Sequence, residues 1–254
     1  MILAMNIGNT NLLLGLIKDG RISSIRQPVD SLLSRDDFTH VIKRFLSGME
    51  ESVTDAIISS VNPRLTKHLE DATNELFAIT PLILNKSMSM KLDLSCYDTE
   101  LIGSDRIAVC EAAAMKYNTP SIVFDFGTAT TINVVDGYNR FIGGAILPGL
   151  MMGINALSKN TALLPGVELA LQAPLIGRNT RECILSGAIF GAASMLDGMK
   201  HRIEEQLGQK ATVIITGGNA NYIMPICKAG VIHAPDLLLE GLYILIGGYE
   251  WFII

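Results

Sequence analysis

One pattern occurs twice in this chain, about half its length apart, and it restricts the fold more than any other feature. Met5-Asn6-Ile7-Gly8-Asn9-Thr10-Asn11 follows the apolar run Ile2-Leu3-Ala4. Phe124-Asp125-Phe126-Gly127-Thr128-Ala129-Thr130 follows Ile122-Val123. A second apolar strand begins after each bend, over 12–17 and over 131–135. Each copy reads as strand, glycine turn, strand. Glycine reaches φ > 0 and lets backbone N–H groups approach an anion, while threonine hydroxyls add donors. A lone copy would be an ordinary hairpin. Two copies predict two similar domains that face each other across a cleft, with both bends on one polyphosphate.

The rest of the sequence reads as two α/β halves. In the first, strands over 1–5, 12–17 and 22–26 precede a helix over 36–45, a strand over 56–59 and a helix over 63–75. In the second, strands over 121–124, 131–135 and 143–146 precede a helix after Pro148 and a long helix over 180–206. Thr212-Val213-Ile214-Ile215 is a short β-branched strand, and Thr216-Gly217-Gly218 turns towards a helix, a place where bare backbone can hold a phosphate or sugar. Asp236 is a natural N-cap for a final helix. The expected domains are 1–115 and 116–254, with the last helix able to pack back on the first domain.

Composition narrows the function. A chain of 254 residues suits two domains of roughly 120 residues each. Net charge is −5 with Lys and Arg scattered, so no basic stripe suits nucleic acid. An anionic ligand needs a local pocket of cations or amides instead. Hydrophobic residues make up 49% and charged residues only 18%, which fits burial of some apolar surface against a second subunit. Cys96, Cys110, Cys183 and Cys227 have no CxxC pairing, so they read as small buried groups in a reducing, cytoplasmic setting. Asn6, Gly8, Asn9, Thr10 and Asn11 interrupt the first apolar run, which therefore does not read as a signal peptide. The apolar stretch over 237–254 carries Glu240, Glu250 and a Gly-Gly pair, and reads as a buried helix, not a membrane span.

These motifs, in this order, resemble the type III pantothenate kinases, within the superfamily that includes sugar kinases, actin and the Hsp70 ATPase domain. The family's two phosphate motifs look like Asn6-Ile7-Gly8-Asn9-Thr10-Asn11 and Asp125-Phe126-Gly127-Thr128-Ala129-Thr130-Thr131. Gly103-Ser104-Asp105-Arg106 resembles its substrate motif. Gly177-Arg178-Asn179-Thr180, Thr216-Gly217-Gly218 and Pro235-Asp236-Leu237 match further blocks. The resemblance implies two ribonuclease H-like domains across a nucleotide cleft, the actin-like ATPase fold. It implies ATP-dependent phosphorylation of pantothenate with Mg²⁺ and a monovalent cation (K⁺ or NH₄⁺), by a homodimer. Asp105 would be the general base, and Tyr97, Gly103, Ser104, Asp105 and Arg106 would hold pantothenate with Thr180 of the second subunit. Asn6, Ile7, Gly8, Asn9, Thr10, Asn11, Leu12 and Leu13, with Thr128, Gly217 and Gly218, would contact the nucleotide. Asp125 would be the monovalent-cation ligand.

One position departs from the family. Asn6 stands where the family has Asp, and where Asp125 stands in the second copy. Asn keeps the size and some hydrogen bonding but loses the charge. A charge about 5 Å from a cation, at an effective dielectric near 20, interacts by about 3 kcal/mol. Lost only in the transition state, that is on the order of a hundredfold in rate. The residues thus leave three readings: an active pantothenate kinase, a catalytically weakened relative that binds nucleotide or pantothenate as a regulator, and another kinase of the superfamily acting on a sugar or small acid.

Overall fold

The computed structural model describes residues 1–49, 51–228 and 230–248. They form two compact units, Met1–Lys116 together with the segment from Asp236, and Tyr117–Pro235. Each unit is built on a five-stranded mixed sheet, and the two sheets have the same topology. The first has the order β3-β2-β1-β4-β5, from β1 (Ile2–Ile7), β2 (Asn11–Lys18), β3 (Arg21–Pro28), β4 (Asp55–Ser60) and β5 (Leu82–Ile83). The second runs β8-β7-β6-β9-β10, from β6 (Ser121–Phe126), β7 (Ala129–Val135), β8 (Phe141–Pro148), β9 (Thr212–Thr216) and β10 (Val231–His233). In each, three antiparallel strands are followed by two that join in parallel.

Parallel neighbours need a crossover, and helices supply it. In the first unit α1 (Arg35–Phe45) and α2 (Pro63–Phe77) cover one face, and α3 (Ser104–Lys116) belongs to the other. The start of α1 is set by a reciprocal capping box between Ser34 and Asp37. Asn62 caps α2, with Pro63 at its first position. Because side chains alternate along a strand, Leu3, Met5 and Ile7 of β1 meet α1 and α2, whereas Ala4 belongs with α3. Both faces are covered, so β1 and β2 are apolar almost throughout.

In the second unit α4 (Leu150–Asn160), α5 (Thr180–Leu207) and the short α6 (Ala220–Ile223) accompany the sheet. Phe124 and Phe126 pack with Ile189, Ala193 and Leu196 of α5. That helix runs 28 residues from an Asn179 cap to Gly208, which takes φ 69°.

The last helix, α7 (Leu237–Leu245), follows the second unit in sequence but is part of the first. Leu239, Leu242 and Tyr243 share a core with Ala4, Leu13 and Ile107. Two glycines admit it. Gly15 lies under Leu239, and a Cβ on Gly241 would sit 1.9 Å from the Ala108 carbonyl oxygen of α3. Asp236 occupies the N-cap position, yet its side chain makes no capping hydrogen bond, contrary to the expected cap. The long buried helix expected over 237–254 stops at Leu245, before Gly247, which takes φ 99°; residues 249–254, with Glu250, lie outside the described residues. Among the described residues, no helix is long and apolar enough to cross a membrane. Gly241→Ala is expected to destabilise the protein by about 2–4 kcal/mol, because backbone rather than a movable side chain fills the space. Urea unfolding monitored by circular dichroism measures it; an unchanged midpoint would contradict this close helix crossing.

Candidate functional site

The two glycine bends occupy equivalent places, each beside a parallel strand. In the first, Ile7 pairs with Leu12 and the Gly8 N–H donates to the Asn11 carbonyl at 2.9 Å. In the second, Phe126 pairs with Thr130 and the Gly127 N–H donates to the Ala129 carbonyl at 3.1 Å. The second bend is therefore one residue tighter. The side chains of Ile7, Leu12 and Leu13 are buried in the core, so this stretch meets a ligand through its backbone and through Asn9, Thr10 and Asn11.

Asn6 is opposite Ser59 on β4, and Asp125 is opposite Thr216 on β9. Asn6 and Ser59 both fall on the face of the sheet that α3 covers. The Ser59 hydroxyl donates to Asn6 Oδ1 at 2.8 Å and lies 2.9 Å from Ser104 Oγ. Ser104 Oγ in turn accepts from the Ser60 N–H at 3.1 Å. The first bend is thereby joined to the start of α3, where Gly103, Asp105 and Arg106 stand.

Asp105 is turned back over its own helix start. Its Oδ1 accepts from the Arg106 N–H at 2.8 Å, and a Cβ on Gly103 would be 2.4 Å from that same oxygen. Glycine at 103 is what leaves the carboxylate its place. Burial pushes the Asp105 carboxyl above the ordinary carboxylate range, with the backbone N–H of Arg106 and its guanidinium opposing the shift. Arg106 is buried, with its guanidinium carbon 5.7 Å from the centre of the Tyr97 ring and Nη1 3.5 Å from the Tyr97 hydroxyl. The expected pantothenate contacts Tyr97, Gly103, Ser104, Asp105 and Arg106 thus form one group.

In the second unit Gly217 takes φ 94°, and a Cβ there would meet Asp125 Oδ1 at 2.4 Å and the Phe126 nitrogen at 2.7 Å. Thr128 is exposed in its bend. Two residues that hold this corner escaped the sequence reading. Asn219 donates its backbone N–H to the Phe126 carbonyl at 2.9 Å and Nδ2 to the Gly127 carbonyl at 3.1 Å. Gly149, before α4, lies where a Cβ would be 2.1 Å from the Thr128 carbonyl oxygen. The only hint in the sequence was their type, Asn after Gly-Gly and Gly after Pro. Thr180 begins α5 and is exposed. It borders an apolar cavity of about 660 Å³ between α4 and α5, which Thr130, Leu150, Ile154 and Ile184 also line.

Among the described residues, no group of three or more His, Cys, Asp or Glu side chains could hold a metal ion. A cation bound here would draw its other ligands from phosphate, water and backbone oxygens. A single carboxylate such as Asp125, beside a bend rich in backbone carbonyls, fits that kind of cation.

Solved structures share this architecture. A protein from Campylobacter jejuni assigned to the Baf family of transcriptional activators matches with a TM-score of 0.62 at 20% identity, over 96% of both chains. The archaeal actin homolog Ta0583 matches with a TM-score of 0.51 at 15% identity, over 95% of this chain and 97% of its own. Two mixed sheets of like topology, each with a glycine bend beside a parallel strand, are the actin-like ATPase fold, and this protein is of that class. The type III pantothenate kinase family model matches residues 2–202. A type III pantothenate kinase of Exiguobacterium sibiricum is 36% identical over 249 residues, 96% of this chain and 98% of that protein. The chain belongs to the type III pantothenate kinase family, and so to the phosphotransferases.

The site generates a stability test. A buried carboxyl with a raised pKa is less stable ionised in the fold than in the unfolded chain. Its effect on stability is therefore absent at low pH, and the cost grows as pH climbs from the ordinary carboxylate range through the raised value. Asp105→Asn removes the ionisable group, so at pH 7 the variant should melt at or above the temperature of the unaltered protein. A fall in Tm of more than about 3 °C would show the carboxylate to be a net stabilising element.

Proposed function

We propose that the protein transfers the γ-phosphoryl group of ATP to the primary hydroxyl of pantothenate, giving 4′-phosphopantothenate for coenzyme A synthesis. The observation that carries this reading is Asp105, a partly buried carboxylate whose pKa is raised, held at the start of α3 and tied through Ser104 and Ser59 to the first glycine bend. Family membership supplies the substrate class.

Phosphoryl transfer asks the protein mainly to position reactants and stabilise charge. Asp105 accepts the proton of the pantothenate hydroxyl as that oxygen bonds to the γ-phosphorus, while the bond from phosphorus to the bridging oxygen breaks and ADP leaves. A raised pKa makes it a stronger base than an exposed aspartate, closer to working pH. Arg106 suits the substrate carboxylate, because its planar fork matches two oxygens and the Tyr97 ring holds its orientation. Asn6, Gly8, Asn9, Thr10 and Asn11, with Thr128, Gly217 and Gly218, take the nucleotide. Asp125 would hold a monovalent cation, and Mg²⁺ bound to the phosphates would supply charge neutralisation there.

The active form in this reading is a homodimer. The apolar cavity between α4 and α5, with Met152 and Leu157 exposed on α4, supports a second copy on this face, and Thr180 would then serve the partner's pantothenate. Light scattering at micromolar concentration reads the assembly, and a monomer would remove Thr180 from the site.

Asn6 supports a second reading, in which a weakened relative binds these ligands without turning them over. One assay separates the two. With ATP, Mg²⁺, K⁺ and pantothenate, the unaltered protein should form 4′-phosphopantothenate, and Asp105→Asn should lower kcat by at least about a thousandfold. Because the base acts ionised, kcat should fall as pH drops through a value above the ordinary aspartate range. Asn6→Asp should raise turnover by up to about a hundredfold if the lost charge limits catalysis. Full activity in Asp105→Asn overturns the base assignment; no product from either the unaltered protein or Asn6→Asp leaves the binding role.

A further inference from the structure

Ser59 has no part in the sequence motifs, yet it stands between two of them. It is fully buried on β4. Its hydroxyl donates to Asn6 Oδ1 at 2.8 Å and shares a 2.9 Å hydrogen bond with Ser104 Oγ, in which either oxygen can be the donor. Ser104 Oγ also accepts from the Ser60 N–H at 3.1 Å and can donate to the Ser60 carbonyl oxygen at 3.2 Å. The result is a continuous run of hydrogen bonds from the residue two places before Gly8 to the residue beside Asp105, joining positions 53 and 45 residues apart in sequence.

We propose that Ser59 is a positioning residue for phosphoryl transfer, its buried hydroxyl holding the nucleotide bend and the start of α3 as a single unit. This rests on the kinase reading above. Phosphoryl transfer is sensitive to placement, since displacement of a reacting group by about an ångström can cost on the order of a hundredfold. A hydroxyl within hydrogen-bonding distance of both residues fixes both neighbours at once, and a buried one has no water to replace it. The bridge is compatible with either residue at position 6, because an aspartate would accept the same proton. The second unit shows what else the site admits. There the strand position opposite Asp125 is held by Thr216, also buried and also a hydroxyl.

The test uses Ser59→Ala and Ser59→Thr in the full chain, with two readouts. In Ser59→Ala, kcat should fall about tenfold while KM for ATP and for pantothenate each change less than about threefold. Ser59→Thr should restore most of the loss. Amide hydrogen exchange, read without turnover, should speed up in Ser59→Ala both over residues 6–11 and over residues 103–107. A folded Ser59→Ala with normal kcat, or with faster exchange confined to β4, overturns the proposal. If the unaltered protein forms no 4′-phosphopantothenate, the kinase reading fails by itself, and the exchange pattern still decides whether the bridge couples the two segments.

Discussion

Everything at the site follows from how a parallel strand is joined to an antiparallel hairpin. The hairpin β1–β2 bends at Gly8, and β4 must run parallel to β1, which only a helical crossover permits. The glycine bend and the carboxyl end of β4 then emerge at the same edge of the sheet. That geometry alone sets Asn6 against Ser59, and in the second unit Asp125 against Thr216. A polar residue before glycine meets a hydroxyl at a strand end in both units because both sheets have one topology.

The likeness of the two units makes their differences informative. The first bend has one residue more between its paired strands than the second. Asn6 leans on a serine hydroxyl, whereas Asp125 lies over Gly217, whose missing side chain gives the carboxylate its room. An uncharged residue is easily held by a buried hydroxyl at little electrostatic cost. The Asp125 carboxylate instead lies against the backbone at Gly217, where a side chain would collide with it. The duplicated frame therefore carries two unlike corners.

Electrostatic tension is concentrated at α3. Asp105 is partly buried with its charge disfavoured, and the neighbouring Arg106 is buried with its guanidinium beside the Tyr97 ring. Alongside, α3 and α7 cross so closely that only glycine fits at position 241. The helix that bears Asp105 and Arg106 is thus held against α7 by a close backbone approach.

The two glycine bends, the strands on either side and the long helix from Thr180 were legible in the amino-acid order, because alternation, helical period and turn residues are local signals. Asp105 stood out as a candidate only through the motif that resembles the family's. Tertiary structure alone decided that Ser59 and Asn219 belong to the corners, since their partners are 53 and 92 residues away and strand register sets them. It also placed Asp236 at a helix start without a capping bond and seated α7 in the first unit. The strands Leu82–Ile83 and Val231–His233 are too short to leave a periodic trace, so they too existed only once neighbours paired with them. Local pattern specifies elements; which residue meets which depends on long-range pairing that no window of sequence contains.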